Sequence, residues 1–82
     1  MQTYLEKIDI ARNQARFYRM IVMPDLFGDW TLYREWGRIG QGGQIRRDHF
    51  ASEDQAIAAM LALEEGKRRR GYWVMPQQLE ML

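Results

Sequence analysis

The sequence predicts one α+β domain, an antiparallel β-sheet of four to five strands with one α-helix packed on one face. Three observations predict it. Four segments with strand patterning come first; one run with helical spacing follows them, opened by a capping box; and the connections between strands are short and rich in turn residues. Strands joined by short turns pair antiparallel, because a parallel pair needs a long crossover. A lone helix after them covers one face of the sheet. A chain of 82 residues is one domain. We expect it to occupy 1–75, with 76–82 as a tail in which Leu79, Met81 and Leu82 are apolar.

Tyr4 to Ile10 alternates, with Tyr4, Glu6, Ile8 and Ile10 on one side, and reads as the first strand. Ala11 to Gln14 is a polar turn. Arg16 to Met23 is dense in aromatic and branched residues, which suits a central strand with both faces largely covered. Pro24 stops it, having no N–H for the ladder. Asp25 to Asp29 is a turn containing Gly28-Asp29. Trp30 to Ile39 is the third strand, with Trp30, Leu32, Arg34 and Trp36 sharing a face. The glycines of 40–43 turn the chain into a fourth strand, Gln44 to Phe50.

Ser52-Glu53-Asp54-Gln55 is the capping box, in which the serine hydroxyl takes an N–H and Gln55 reaches back. Ala56, Ile57, Met60, Leu61 and Leu63 make the apolar stripe. Lys67-Arg68-Arg69-Arg70 complements the negative end of the helix, and Gly71 suits the position after it, although Gly66 offers an earlier stop. Gly71 to Val74 is a short final strand or an aromatic plug on the core.

Several function classes find no support. The chain has no cysteine, which removes disulfides and thiolate metal sites and points to a reducing, cytoplasmic setting. It opens on no signal pattern, and its longest apolar runs are far short of a membrane span. No catalytic residue, metal site or cofactor is expected. His49 is the only histidine and lies in a strand without a nucleophile or carboxylate motif beside it. Asp25 and Asp29 are turn residues before they are a carboxylate pair. The glycines do not open a helix after a strand, as a dinucleotide site requires.

Charge distribution says more. The net charge is only +1, yet Arg34 to Arg47 carries four basic residues against one acidic, and Lys67 to Arg70 adds four more. Such clusters bind phosphate even on a nearly neutral chain. Half of the case for Lys67, Arg68, Arg69 and Arg70 is the ordinary role of a solvated helix end. Four cations in a row exceed what a cap requires. The sharper feature is Trp36-Gly37-Arg38-Ile39-Gly40. Its ordinary role is a hairpin whose tryptophan packs on the core. That role explains the glycines well and Arg38 less well, whereas a stacking plane beside a guanidinium fork is how sugar and phosphate are held.

Trp36-Gly37-Arg38 followed by Ile39-Gly40 resembles the signature of WGR domains, found in DNA-dependent poly(ADP-ribose) polymerases and as short bacterial proteins. Phe17-Tyr18-Arg19 resembles the family's second-strand element. Phe50 and Ala56 stand where it has an aromatic before the helix and an alanine within it. Lys67 and Gly71-Tyr72 are similar to its closing pattern. The ordered set covers most of the chain. The resemblance implies an antiparallel sheet flanked by one helix, and DNA binding at breaks in the polymerase members. It nominates Trp36 and Arg38, with Gly37 permitting close approach. Arg46 and Arg47 join them on charge alone. Nothing resembles the polymerases' zinc fingers or transferase domain, so no poly(ADP-ribose) synthesis is expected.

Two readings follow: a module that contacts the DNA backbone at ends or nicks, and a protein-interaction adaptor using the same aromatic and arginine surface. Salt separates them, because phosphate binding weakens steeply with it.

Overall fold

The first strand starts at Gln2. The computed structural model describes residues 1–76. Strand β1 is Gln2–Asp9, β2 Gln14–Pro24, β3 Trp30–Arg38 and β4 Gln44–Phe50; helix α1 is Glu53–Arg69, and β5 is Trp73–Val74. The strands form one sheet in the order β4-β3-β2-β1-β5, antiparallel at every junction, with α1 on one face. This is the α+β architecture expected. Residues 77–82, most of the expected tail, lie outside the described residues.

Alternation decides the core. Leu5, Tyr18, Met20, Val22 and Leu32 point to the helix and pack on Ala56 and Met60, all at or below 4% exposure. Each large one contributes about 1.5–3 kcal/mol through burial. Trp30, Trp36, Phe50, Ile57, Leu63 and Tyr72 pack around them, partly buried. The Thr3 hydroxyl donates to Glu64 Oε1 at 2.9 Å and ties β1 to the helix. Leu61, expected in the apolar stripe, is 45% exposed because it falls one position off the contact face.

The turns are built locally. Between β1 and β2, Ile10–Arg12 makes one 3-10 turn, so Ile10 leaves the strand earlier than its alternation implies. The Asp9 carboxylate accepts the Arg12 N–H, and Asn13 adopts φ +53°, a region asparagine tolerates. Between β2 and β3, Asp25 Oδ1 accepts the N–H groups of Phe27 and Asp29 at 2.8 and 3.0 Å, and Asp25 N donates to Asp29 O at 2.9 Å. Ser52 caps α1 by accepting the Gln55 N–H at 3.2 Å. The return bond differs from a capping box by one residue: Gln55 Oε1 accepts from Ala51 N, not from Ser52 N. Gly66 sits inside the helix, and Gly71, at φ +95°, follows its end.

One expectation is corrected. β2 is central, but only the helix side of it is covered. On the other face Phe17 is buried beneath its neighbours, while Arg19 and Met23 are exposed. A sheet with a single helix has one layer to offer, and no second layer stands among the described residues. The final strand also divides its aromatics. Tyr72 packs on the core, while Trp73 is 73% exposed on the edge strand.

Candidate functional site

The Trp-Gly-Arg tripeptide is the last of β3, where alternation sends Trp36 and Arg38 to the helix side and Gly37 to the open face. Trp36 lies directly across from Tyr18, and the rings stack at 5.6 Å and 14°. Stacking anchors the indole while leaving it half exposed. Gly37 has little room. A Cβ there would lie 3.0 Å from Gly43 Cα and 3.6 Å from the Phe17 ring. A Cβ on Gly43 would collide with the Trp36 carbonyl oxygen. The close approach expected of Gly37 is therefore made by its own hairpin. These two glycines let the backbones of β3 and the returning chain cross above Phe17.

Arg38 is exposed, and its guanidinium donates to Asn13, from Nη1 to the carbonyl at 3.2 Å and from Nη2 to Oδ1 at 3.4 Å. Asn13 thus aims the side chain without neutralising it. Directly opposite Arg38 in the ladder stands Arg16. Like charges facing across a strand pair repel, so this pairing costs stability unless an anion lies between them.

The helix end completes the surface. Lys67 lies two helical turns beyond Met60, so it inherits the core-facing side and lies over aromatic rings. Its Nζ is 4.6 Å from the centre of Tyr18 and 5.3 Å from that of Tyr72; Lys7 reaches Tyr72 at 6.0 Å. Burial holds the Lys67 pKa below its ordinary value, and the charges of Arg70, Arg34, Arg16 and Lys7 lower it further. Arg34 is compensated, through an ion pair with Asp48 at 2.8 Å and a bond to the Tyr18 hydroxyl at 3.3 Å. Arg16, Arg70 and Lys7 have no ion pair among the described residues. The arrangement is a basic rim over an aromatic floor of Trp36, Tyr18 and Tyr72, suited to holding a phosphate against a ring-faced sugar or base.

The other nominated residues lie elsewhere. Arg46 is on the helix side but donates to Asp48 at 2.9 Å, sharing that carboxylate with Arg34. Arg47 points to the open face, where it stacks over Tyr33 at 5.4 Å. Arg68 and Arg69 face a groove along β5, and Arg69 pairs with Glu65 at 3.3 Å. So Trp36, Lys67 and Arg70 come together around Tyr18, Arg38 adjoins them through its ladder partner Arg16, and Arg47, Arg68 and Arg69 do not join them. Reading by segment missed Arg16, Lys7 and Asn13, which lie in residues 1–33, where four basic and four acidic residues cancel. Pairing the second and third strands in register would have found Arg16. His49 is exposed, with Nδ1 3.4 Å from the Thr31 hydroxyl. No group of three or more metal-ligating side chains occurs among the described residues. Nor is any described helix long and apolar enough to cross a membrane.

The family model described as WGR domain matches residues 1–78. An uncharacterized protein of Sinorhizobium fredii (strain NBRC 101917 / NGR234), y4dW, is 48% identical over 73 residues, covering 89% of this chain and 36% of that protein. The human protein mono-ADP-ribosyltransferase PARP3 is 31% identical over 52 residues, covering 63% of this chain and 10% of the human protein. The chain therefore spans about a third of the first relative and a tenth of the second. With the family model covering nearly all of its length, the chain belongs to the WGR domain family.

Proposed function

We propose that the domain is a non-catalytic nucleic-acid-binding module that holds the phosphate backbone of duplex DNA, at ends or nicks, on the surface beside the C-terminus of α1. The carrying observation is the gathering of Arg16, Arg38, Lys7, Lys67 and Arg70 without a carboxylate partner among the described residues. A cluster of like charges is unfavourable by itself and becomes favourable when an anion enters. Trp36 and Tyr72 give the surface flat apolar faces, which suits an end or a nick, where a sugar or base is open to stacking. Family membership supports the same reading, and nothing in the arrangement selects a base sequence.

The test is fluorescence anisotropy with a labelled nicked duplex bearing a 5′-phosphate, comparing wild type with Arg38→Ala and Arg16→Ala at two salt concentrations. We expect salt-sensitive binding that both variants weaken, with folding unchanged by circular dichroism. A folded wild-type protein that does not bind at low salt would overturn the proposal.

The second reading, an adaptor for proteins, is favoured by the exposure of Leu26, Phe27 and Trp73, none of which the phosphate surface uses. Binding by those residues would tolerate salt.

A further inference from the structure

Asn13 is the one described residue other than glycine with a left-handed backbone, at φ +53° and ψ +41°. Glycine enters that region freely, and asparagine and aspartate enter it more readily than most side chains. The turn keeps this shape without help from the Asn13 side chain. Asn13 N donates to Ile10 O at 3.1 Å, and the Asp9 carboxylate accepts the Arg12 N–H. Ile39 N donates to Ala15 O at 2.8 Å, which fixes the end of β3 beside the start of β2. Backbone bonds therefore set Arg38 next to Asn13.

What the side chain adds is an acceptor. Arg38 gives Nη1 to the Asn13 carbonyl at 3.2 Å and Nη2 to Oδ1 at 3.4 Å. A guanidinium has five N–H donors, so three remain, and a phosphate held by the fork takes two. Both Asn13 oxygens are neutral, so they direct the guanidinium and leave its charge uncancelled. The carboxylate nearest in the chain, that of Asp9, is engaged by Arg12 at 3.7 Å. An aspartate at position 13 would suit the same backbone and reach the same donor. Its carboxylate would then pair with Arg38 and repel a phosphate. A glycine would suit the backbone and offer no second acceptor.

We propose that Asn13 is a positioning residue of the phosphate surface, and that it must be neutral: it holds the Arg38 guanidinium ready for a phosphate and leaves that charge available. The role rests on the phosphate surface proposed for this domain. Arg16, directly across the ladder from Arg38, shows why neutrality matters. Two facing cations attract an anion between them, and a carboxylate at position 13 would satisfy one of them in advance. Asn13 acts through Arg38, so its contribution vanishes when Arg38 is removed. A contact of its own with the phosphate would persist.

The test uses the full chain and the labelled nicked duplex with a 5′-phosphate, over a series of salt concentrations. Wild type is compared with Asn13→Gly and Asn13→Asp, and Asn13→Gly is repeated in an Arg38→Ala background. Asn13→Gly should weaken binding by about three- to tenfold, the cost of ordering one long side chain, with the salt slope unchanged. Asn13→Asp should weaken it further and reduce the slope of log affinity against log salt by about one, as a cancelled phosphate contact requires. With Arg38→Ala in place, Asn13→Gly should add nothing. Without DNA, ¹⁵N relaxation of the Arg38 Nε–H should show it ordered in wild type and in Asn13→Asp, and looser in Asn13→Gly. Order retained while affinity is lost separates a charge requirement from a structural one. Both substitutions suit φ +53°, so circular dichroism and melting temperature should stay near wild type. Asn13→Asp binding as tightly as wild type would overturn the role, as would an Asn13→Gly loss that persists without Arg38. A wild type that binds no duplex at low salt would overturn the phosphate surface itself, and this role with it.

Discussion

Arg38 donates only to Asn13 and is exposed, so its removal leaves no buried group unsatisfied. Arg38→Ala is expected to keep the melting temperature within a few degrees and to lose affinity for the phosphorylated duplex; a variant that unfolds would make the residue structural. Trp36 differs, because half of it is packing. Trp36→Ala should lose affinity and also stability, by less than the about 3–5 kcal/mol of a fully buried aromatic. Trp36→Phe should recover most of the stability by keeping a ring on Tyr18. Lys67 gives a pH signature. Burial and four neighbouring cations hold its folded pKa below the ordinary 10.5. Between the folded value and 10.5 the unfolded chain carries more protons, so this residue makes stability rise as pH rises through that window. A bound phosphate offsets the repulsion of those cations and favours the charged ammonium. In an NMR titration, the Lys67 side-chain midpoint should therefore lie below 10.5 in the free protein and move upward with saturating duplex. A midpoint that does not move would place the phosphate elsewhere.

At the scale of elements, the hairpin between β3 and β4 is the one most tightly specified. Gly43→Ala places a methyl group on the Trp36 carbonyl, so the strands must separate or slip. Overpacking of this kind costs about 1–3 kcal/mol. The same shift would move Trp36 and Arg38, so Gly43→Ala should weaken DNA binding without touching a charge. Gly37→Ala should do less, since its nearest contact is 3.0 Å from the Cβ position. The helix cap offers a contrasting test. Ser52→Ala removes the acceptor for the Gln55 N–H and should cost about 1 kcal/mol. In a domain of this size that lowers the melting temperature by about 4–8 °C. DNA affinity should not change, because the cap lies at the opposite end of α1 from Lys67.

For the whole molecule, the sheet divides the cations between two faces. Arg16→Ala should weaken duplex binding and reduce the slope of log affinity against log salt by about one, as loss of one phosphate contact requires. Arg47, stacked over Tyr33 on the face without the helix, should contribute nothing comparable. Equal effects from both would mean that the DNA reaches around the sheet. The same division leaves Tyr4, Tyr33, Ile45 and, through its register with Glu6, Trp73 on a face that no described element covers, while Leu26 and Phe27 are exposed at the tip of the turn joining β2 and β3.

Local chemistry was enough for the elements. Alternation marked β1 and β3, aromatic and branched density marked β2, and the glycine turn set off β4; proline and Gly28 punctuated the β2–β3 turn, and Ser52 and Gly71 bracketed α1, because propensity, capping and turn geometry act within a few residues. Strand β4 was legible to its limits, and Trp36, Gly37 and Arg38 were legible as a motif. The composition of the basic surface was not. Arg16 and Lys7 belong to a stretch, residues 1–33, whose four basic and four acidic residues cancel, and they meet Arg38 and Lys67 only because antiparallel pairing and the seating of α1 bring residues far apart in the chain to one place. The run 67–70 looked like a single patch, yet helical rotation of about 100° per residue sends Lys67 to the aromatic floor and Arg68 toward the β5 groove. Sequence by itself therefore determined which elements form and which residue types they carry. Tertiary structure decided which charges stand together, since electrostatic interaction depends on distance through space, and only register and packing set that distance.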